Sequence, residues 1–212
     1  MVTQAILFDM DGTLYKSQAI RTKFAEAAYY TLAKEKSISL DSARQSIEQK
    51  RDSMKVHYGQ SVPYTLTLQS LGIPIAVWHE YNIDYFDPGE YLKSDPLLEK
   101  SLKILKAHFT LAVITNNNHI QTQRTLKAIG VNGFFDSVFT YNSYHILKPD
   151  PAFFMRAAED LKVAINACCC VGDRYDIDLK PAKAIGMSVL EVQGPEDIYD
   201  LPHRFLQGDQ TV

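Results

Sequence analysis

The sequence predicts an α/β fold, a parallel sheet covered by helices and interrupted by a helical insertion, from three observations. Short apolar runs of strand length recur at Ala5–Phe8, Leu111–Thr115, Ser137–Thr140, Cys168–Val171 and Ser188–Val192. Segments with helical spacing separate these runs, and such alternation implies parallel pairing. The stretch 16–88 breaks the alternation, because it holds no apolar run long enough for a buried strand. Together these describe a Rossmann-like core with an insertion.

Taken in order, Ala5-Ile6-Leu7-Phe8 is the first buried strand, and it runs into Asp9-Met10-Asp11-Gly12-Thr13-Leu14, where the glycine turns the backbone. Ile20, Phe24, Ala27 and Thr31 then share one helix face, and Ser39 caps a second helix through Ala43, Ile47 and Met54. Strands resume at Leu111. Gly130 stops a helix carrying Leu126, Ala128 and Ile129; Asp150 and Pro151 are the N-cap and first residue of another; Gly186 ends a third after Ala182 and Ile185. Gly208 to Val212 read as a frayed end.

The chemistry sits where these strands stop. Asp9 and Asp11 place two carboxylates at positions i and i+2, one able to attack while the other moves a proton. Thr115 and Asn116 end the next run with a hydroxyl and a backbone N–H, Lys148 lies in Ile146-Leu147-Lys148-Pro149-Asp150-Pro151, and Gly172-Asp173 with Asp178 follow Cys168-Cys169-Cys170-Val171. In open parallel sheets, ligand sites form outside the carboxyl ends of the strands, so these distant residues can meet in one crevice. Converging carboxylates repel one another unless positive charge is present, which Lys148 and a divalent cation can supply. Hard oxygen ligands without histidine or thiolate suit Mg2+.

In this order, Asp9/Asp11, Thr115, Lys148 and Asp173/Asp178 resemble the four motifs of the haloacid dehalogenase superfamily, over about residues 4–190. The resemblance implies an α/β core over 1–15 and 89–212, with 16–88 as a small helical cap that closes over the site. It implies Asp9 as the nucleophile that forms an aspartyl phosphate, and Asp11 as the acid and then the base. It further implies that Mg2+ is bound by Asp9, Asp173 and the Asp11 carbonyl with Asp178 in support, and that Thr115, Asn116 and Lys148 hold the phosphoryl group. A second aspartate two positions on favours phosphate esters over halides, whose leaving group needs no acid. The expected activity is that of a phosphatase on a small phosphorylated metabolite; phosphomutase activity or catalytically silent binding are the alternatives. Asp173-Arg174-Tyr175-Asp176 and Thr13-Leu14-Tyr15 resemble members that act as nucleotidases, which makes nucleoside monophosphates one candidate class. Tyr15 is placed either at the substrate entrance or at the hinge, and Asp176 is expected to be a helix N-terminal acid favoured by the dipole.

Composition narrows the field. A chain of 212 residues, 46% hydrophobic, can bury a substantial core, and a net charge of -3 gives no electrostatic reason to bind nucleic acid polymers or anionic membranes. No secretory leader is recognisable, and nothing approaches the ~20 apolar residues of a membrane span, so the expected home is the cytoplasm. The three adjacent cysteines, Cys168 to Cys170, lack zinc-type spacing and read as small buried strand residues.

Overall fold

The computed structural model describes residues 2–58 and 62–206, which divide into two compact units: 2–16 with 92–206, and 17–58 with 62–91. The expected fraying of Gly208 to Val212 lies outside the described residues.

In the first unit the described residues form one five-stranded parallel sheet, from β1 (Ala5–Phe8), β2 (Thr110–Ile114), β3 (Ser137–Phe139), β4 (Cys168–Gly172) and β5 (Ser188–Glu191), in the order β3-β2-β1-β4-β5. Each strand lies within one residue of an apolar run seen in the sequence. β1 occupies the centre, with Phe8 level with Val113 of β2 and with Val171 of β4. The chain leaves β1 to opposite sides, so the carboxyl ends of β1, β2 and β4 open on a shared switch point.

Parallel strands covered on both faces need continuous apolar sequence, and β1 is fully buried along its length. Ala5, Leu7, Ala112, Ile114, Cys168 and Cys170 pack in one cluster with Phe153, Phe154, Ala157 and Ala158. Burying each such phenylalanine contributes about 1.5–3 kcal/mol. The cysteines are free and buried, as expected of small strand residues. Helix ends follow the sequence signals: the Asp150 carboxylate accepts from Ala152 N at 2.9 Å at the start of Pro151–Leu161, and Gly130 and Gly186 take the left-handed backbone, φ 82° and 101°.

The second unit is built from α1 (Gln18–Lys36), α2 (Leu40–Tyr58), α3 (Tyr64–Ser70) and α4 (Ile75–Tyr85), with no strand among its described residues. Ser17 and Ser39 cap the first two helices through hydroxyl oxygens that accept from Ile20 N and Ser42 N. The helices enclose Ala27, Ala28, Leu32, Ala43, Ile47, Leu68, Ile73 and Trp78, whose indole N–H donates to Thr65. At the end of this unit the Tyr91 ring packs edge-on against Phe86 and under Lys23. Among the described residues no helix is long and apolar enough to cross a membrane.

Candidate active site

Strand ends and tight turns build the site. Asp9 continues β1 by one bond, its N–H donating to Val171 O at 2.8 Å, and the chain then turns so that Leu14 N donates to Met10 O. Gly12 takes φ +102° in that turn, and a Cβ there would run into the Asp173 carboxylate, so both backbone and space require glycine. At β4, Gly172 performs the second task alone: a Cβ would lie 2.7 Å from Asp178 Cβ. Its absence lets the turn Tyr175–Leu179 fold back and lodge Asp178 under the strand end, fully buried.

Lys148 is the hub. Its ammonium group donates to Asp9 Oδ1 at 2.6 Å, Asp178 Oδ1 at 2.6 Å and Ile114 O at 3.0 Å, which engages all three of its protons, and the residue is 1% exposed. Burial opposes its charge, but Asp178 and Asp9 outweigh that and hold it protonated beyond the ordinary lysine range. Asn116 holds the backbone of the same residue: Nδ2 donates to Lys148 O at 2.9 Å, and Oδ1 accepts from Lys148 N at 2.7 Å.

The two aspartates of the first turn are driven apart electrostatically. Burial would raise the Asp9 carboxyl, yet Lys148 and then Arg174 bring it below the usual range. Burial and then the charge of Asp9 raise Asp11 to about 6, opposed by a hydrogen bond from Tyr15. The Tyr15 hydroxyl donates to Asp11 Oδ1, and Asn117 Nδ2 donates to Asp11 Oδ2 at 3.1 Å. Tyr15, placed by sequence at an entrance or hinge, is 7% exposed and has the Asp11 carboxylate as its partner.

Thr115 follows β2 with its N–H on Phe139 O, and its Oγ1 accepts from Asn117 N at 3.2 Å while keeping a proton to donate. Asp176 lies in the first turn of Tyr175–Leu179, as a helix N-terminal acid would, and pairs with Lys180 at 3.1 Å.

Sequence reasoning passed over three contributors. Arg174 lies 3.4 Å from Asp173 Oδ1, 3.8 Å from Asp178 Oδ2 and 3.9 Å from Asp9 Oδ1. The Asn116 side chain and Asn117 are the others. The signals were a cation enclosed by acids in Asp173-Arg174-Tyr175-Asp176-Ile177-Asp178, and a run of three amides, Asn116 to Asn118, directly after a strand.

The donor set fits a hard divalent cation. Asp9, Asp173 and Asp178 each offer a carboxylate oxygen, all within 4.8 Å of one another. Asp173 Oδ1 is buried and accepts no hydrogen bond among the described residues, a cost that a cation would remove. Burial foremost, with the charges of Asp9 and Asp178 adding to it against Arg174, raises the Asp173 carboxyl to about 7. Asp178 is also raised, by burial and then by Asp9, although Lys148 and Arg174 oppose this.

Comparison with known proteins gives these features a family context. A family model described as haloacid dehalogenase-like hydrolase matches residues 3–186. Glyceraldehyde 3-phosphate phosphatase of Methanocaldococcus jannaschii is 28% identical over 89% of this chain and 84% of its own length. The protein of the same name from Methanopyrus kandleri is 24% identical over 90% and 84%. In structure, a HAD phosphatase from Thermococcus onnurineus superposes with a TM-score of 0.63 at 24% identity, covering 99% of this chain and 100% of the other. The putative HAD-hydrolase YfnB of Bacillus subtilis, solved bound to magnesium, also reaches 0.63 at 17% identity, covering 96% and 100%.

Proposed function

This chain belongs to the haloacid dehalogenase-like hydrolases, and we infer that it is a phosphoric monoester hydrolase that cleaves a small phosphorylated metabolite through an aspartyl phosphate. The observation that carries this reading is the opposed electrostatics of two neighbouring carboxylates, Asp9 held ionised and Asp11 raised to about 6. Paired groups whose environments push their pKa values apart serve as nucleophile and acid.

In this reading Asp9 attacks phosphorus, its free position fixed by Lys148 and by a Thr13 hydroxyl donating at 3.2 Å. Asp11, aimed by Tyr15 and Asn117, protonates the leaving oxygen and then takes a proton from the water that releases phosphate. The Thr115 hydroxyl and the Asn116 N–H receive the phosphoryl oxygens. Lys148 serves them chiefly as a fixed charge, since its protons already have partners. Asp9, Asp173 and the Asp11 carbonyl would hold Mg2+, with Asp178 in support. Bound there, the cation would offset the carboxylate charge and polarise a phosphoryl oxygen. The helical unit Ser17–Tyr91 is assigned the choice of substrate, since every motif residue lies in the other unit.

Relatives named glyceraldehyde 3-phosphate phosphatase, phosphoglycolate phosphatase and putative pyrophosphatase support small phosphorylated substrates. Nucleoside monophosphates remain in the test set through the Asp173-Arg174-Tyr175-Asp176 resemblance. The test is a panel of glyceraldehyde 3-phosphate, phosphoglycolate, pyrophosphate, hexose phosphates and nucleoside monophosphates with Mg2+, assayed for both free phosphate and isomerised product. Free phosphate from one class is expected. Isomer without free phosphate would make the enzyme a phosphomutase, and neither product from any compound would overturn the hydrolase reading.

A further inference from the structure

Arg174 stands in an unusual relation to its neighbours. Its guanidinium faces three carboxylates at 3.4–3.9 Å, yet a charge-assisted hydrogen bond would be about 2.7–2.9 Å long, and Arg174 Nε is buried with no hydrogen-bond partner among the described residues. Among the described residues the side chain is held by charge rather than by hydrogen bonds.

Its backbone, by contrast, is pinned. Arg174 N donates to Asp178 Oδ2 at 3.2 Å, and Arg174 O accepts from Asp178 N at 2.8 Å and Ile177 N at 3.3 Å. The side chain is 17% exposed, so part of it already meets solvent. Lys148 is its opposite: fully engaged by short hydrogen bonds and 1% exposed. Of the two cations in the cluster, one is built in by short hydrogen bonds and the other faces the carboxylates at longer range.

The three carboxylates that Arg174 faces are the same three whose oxygens lie within 4.8 Å of one another. We propose that Arg174 is a resident counter-cation that neutralises Asp9, Asp173 and Asp178 in the protein alone and turns outward when a divalent cation takes its place. The consequence is competition: Arg174 weakens cation binding, while keeping the carboxylate cluster tolerable in its absence. The exchange lets the cluster persist at low Mg2+ without local unfolding. This inference rests on the reading of the cluster as a Mg2+ site.

The experiment measures Mg2+ alone, on the full chain, by isothermal titration calorimetry. Arg174→Met removes the charge but keeps apolar length, and binding should tighten by on the order of tenfold. Arg174→Lys keeps a cation and should stay closer to wild type. In parallel, the Arg174 Nε–Hε resonance of 15N-labelled wild type, assigned by its loss in Arg174→Met, should exchange faster with water at Mg2+ saturation, as a side chain released to solvent requires. Unchanged or weaker Mg2+ binding in Arg174→Met, or an exchange rate indifferent to Mg2+, overturns the proposal. Should Arg174→Met not fold, the resonance is assigned by its loss in Arg174→Lys instead, and it then decides the matter. Phosphate release with Mg2+ bound and Arg174 unmoved would defeat this proposal alone; a wild type that binds no Mg2+ would defeat it together with the metal-dependent reading.

Discussion

Asn116 grips Lys148 by its backbone, donating to its carbonyl at 2.9 Å and accepting from its N–H at 2.7 Å, across 32 positions of sequence. The amide thereby sets where the ammonium group lands between Asp9 and Asp178.

Asn116→Ala should therefore lower kcat, because outer partners that orient the groups of a metal site typically contribute about 10–100-fold. Leaving the Lys148 N–H and carbonyl unpaired should also cost about 1–3 kcal/mol of stability per group. Asn116→Asp keeps the acceptor but loses the donor, and should fall between. Steady-state kinetics and thermal melting check both; wild-type kcat in Asn116→Ala would remove the positioning role.

Asp9→Asn should abolish turnover and phosphoenzyme formation, whereas Asp11→Asn should slow the release of the leaving group and hydrolysis of the intermediate. Acid-base assistance is worth about 10²–10⁴-fold, and less for an activated aryl ester whose leaving group needs no proton. Equal losses on activated and unactivated esters would exclude Asp11 as the acid.

Asp173→Ala should raise the Mg2+ concentration needed for activity more than it lowers the melting temperature. Asp178→Ala should do the reverse. Both Asp178 oxygens already accept, from Lys148 and from Arg174 N, so its loss strips a buried lysine of a partner, a change that costs about 3–5 kcal/mol. Mg2+ titrations after chelator treatment, paired with melting curves in chelator, separate the two. Full activity in chelator would overturn the metal assignment.

Protonation gives a stability prediction with a definite sign. Asp11 at about 6 and Asp173 at about 7 lie above the ordinary 3.8, so between these limits the folded protein binds more protons than the unfolded chain. Their contribution is present below about pH 4 and is lost as pH rises through 6 and 7. In chelator the melting temperature should fall across that window, and Asp173→Asn should flatten the fall. Asp9 acts oppositely, being lowered, and its contribution is lost only as pH drops through its depressed value. A flat wild-type profile from pH 4 to 7 would contradict the raised carboxyls.

What could be read in the sequence followed from local patterns. Apolar runs marked the strands because a covered parallel sheet demands them, and Gly12 and Gly172 marked turns next to acids because a side chain would collide there. The order in which the strands pair carried no such mark, since it depends on contacts between β1 and residues more than a hundred positions away. The same holds for the supporting shell. Asn117 reaches Asp11 across 106 positions, and an amide after a strand looks alike whether it caps a helix, as Asn118 does, or aims a carboxylate. Arg174 was visible as a letter, but its confinement among three carboxylates exists only after the turn Tyr175–Leu179 folds back.

The central place of β1 also governs how the protein is made. Its first neighbour in the sheet is synthesised a hundred residues later, and its second neighbour, Cys168–Gly172, later still. A growing chain therefore carries a finished first strand that has nothing to pair with, while the helices of Ser17–Tyr91 can form from nearby contacts. Ala5-Ile6-Leu7-Phe8 is thus the segment in need of shielding during translation. Asp9 behind it meets Asp173 and Asp178 only after residue 178 has emerged, so no truncated product that ends before Asp178 can carry the complete carboxylate cluster.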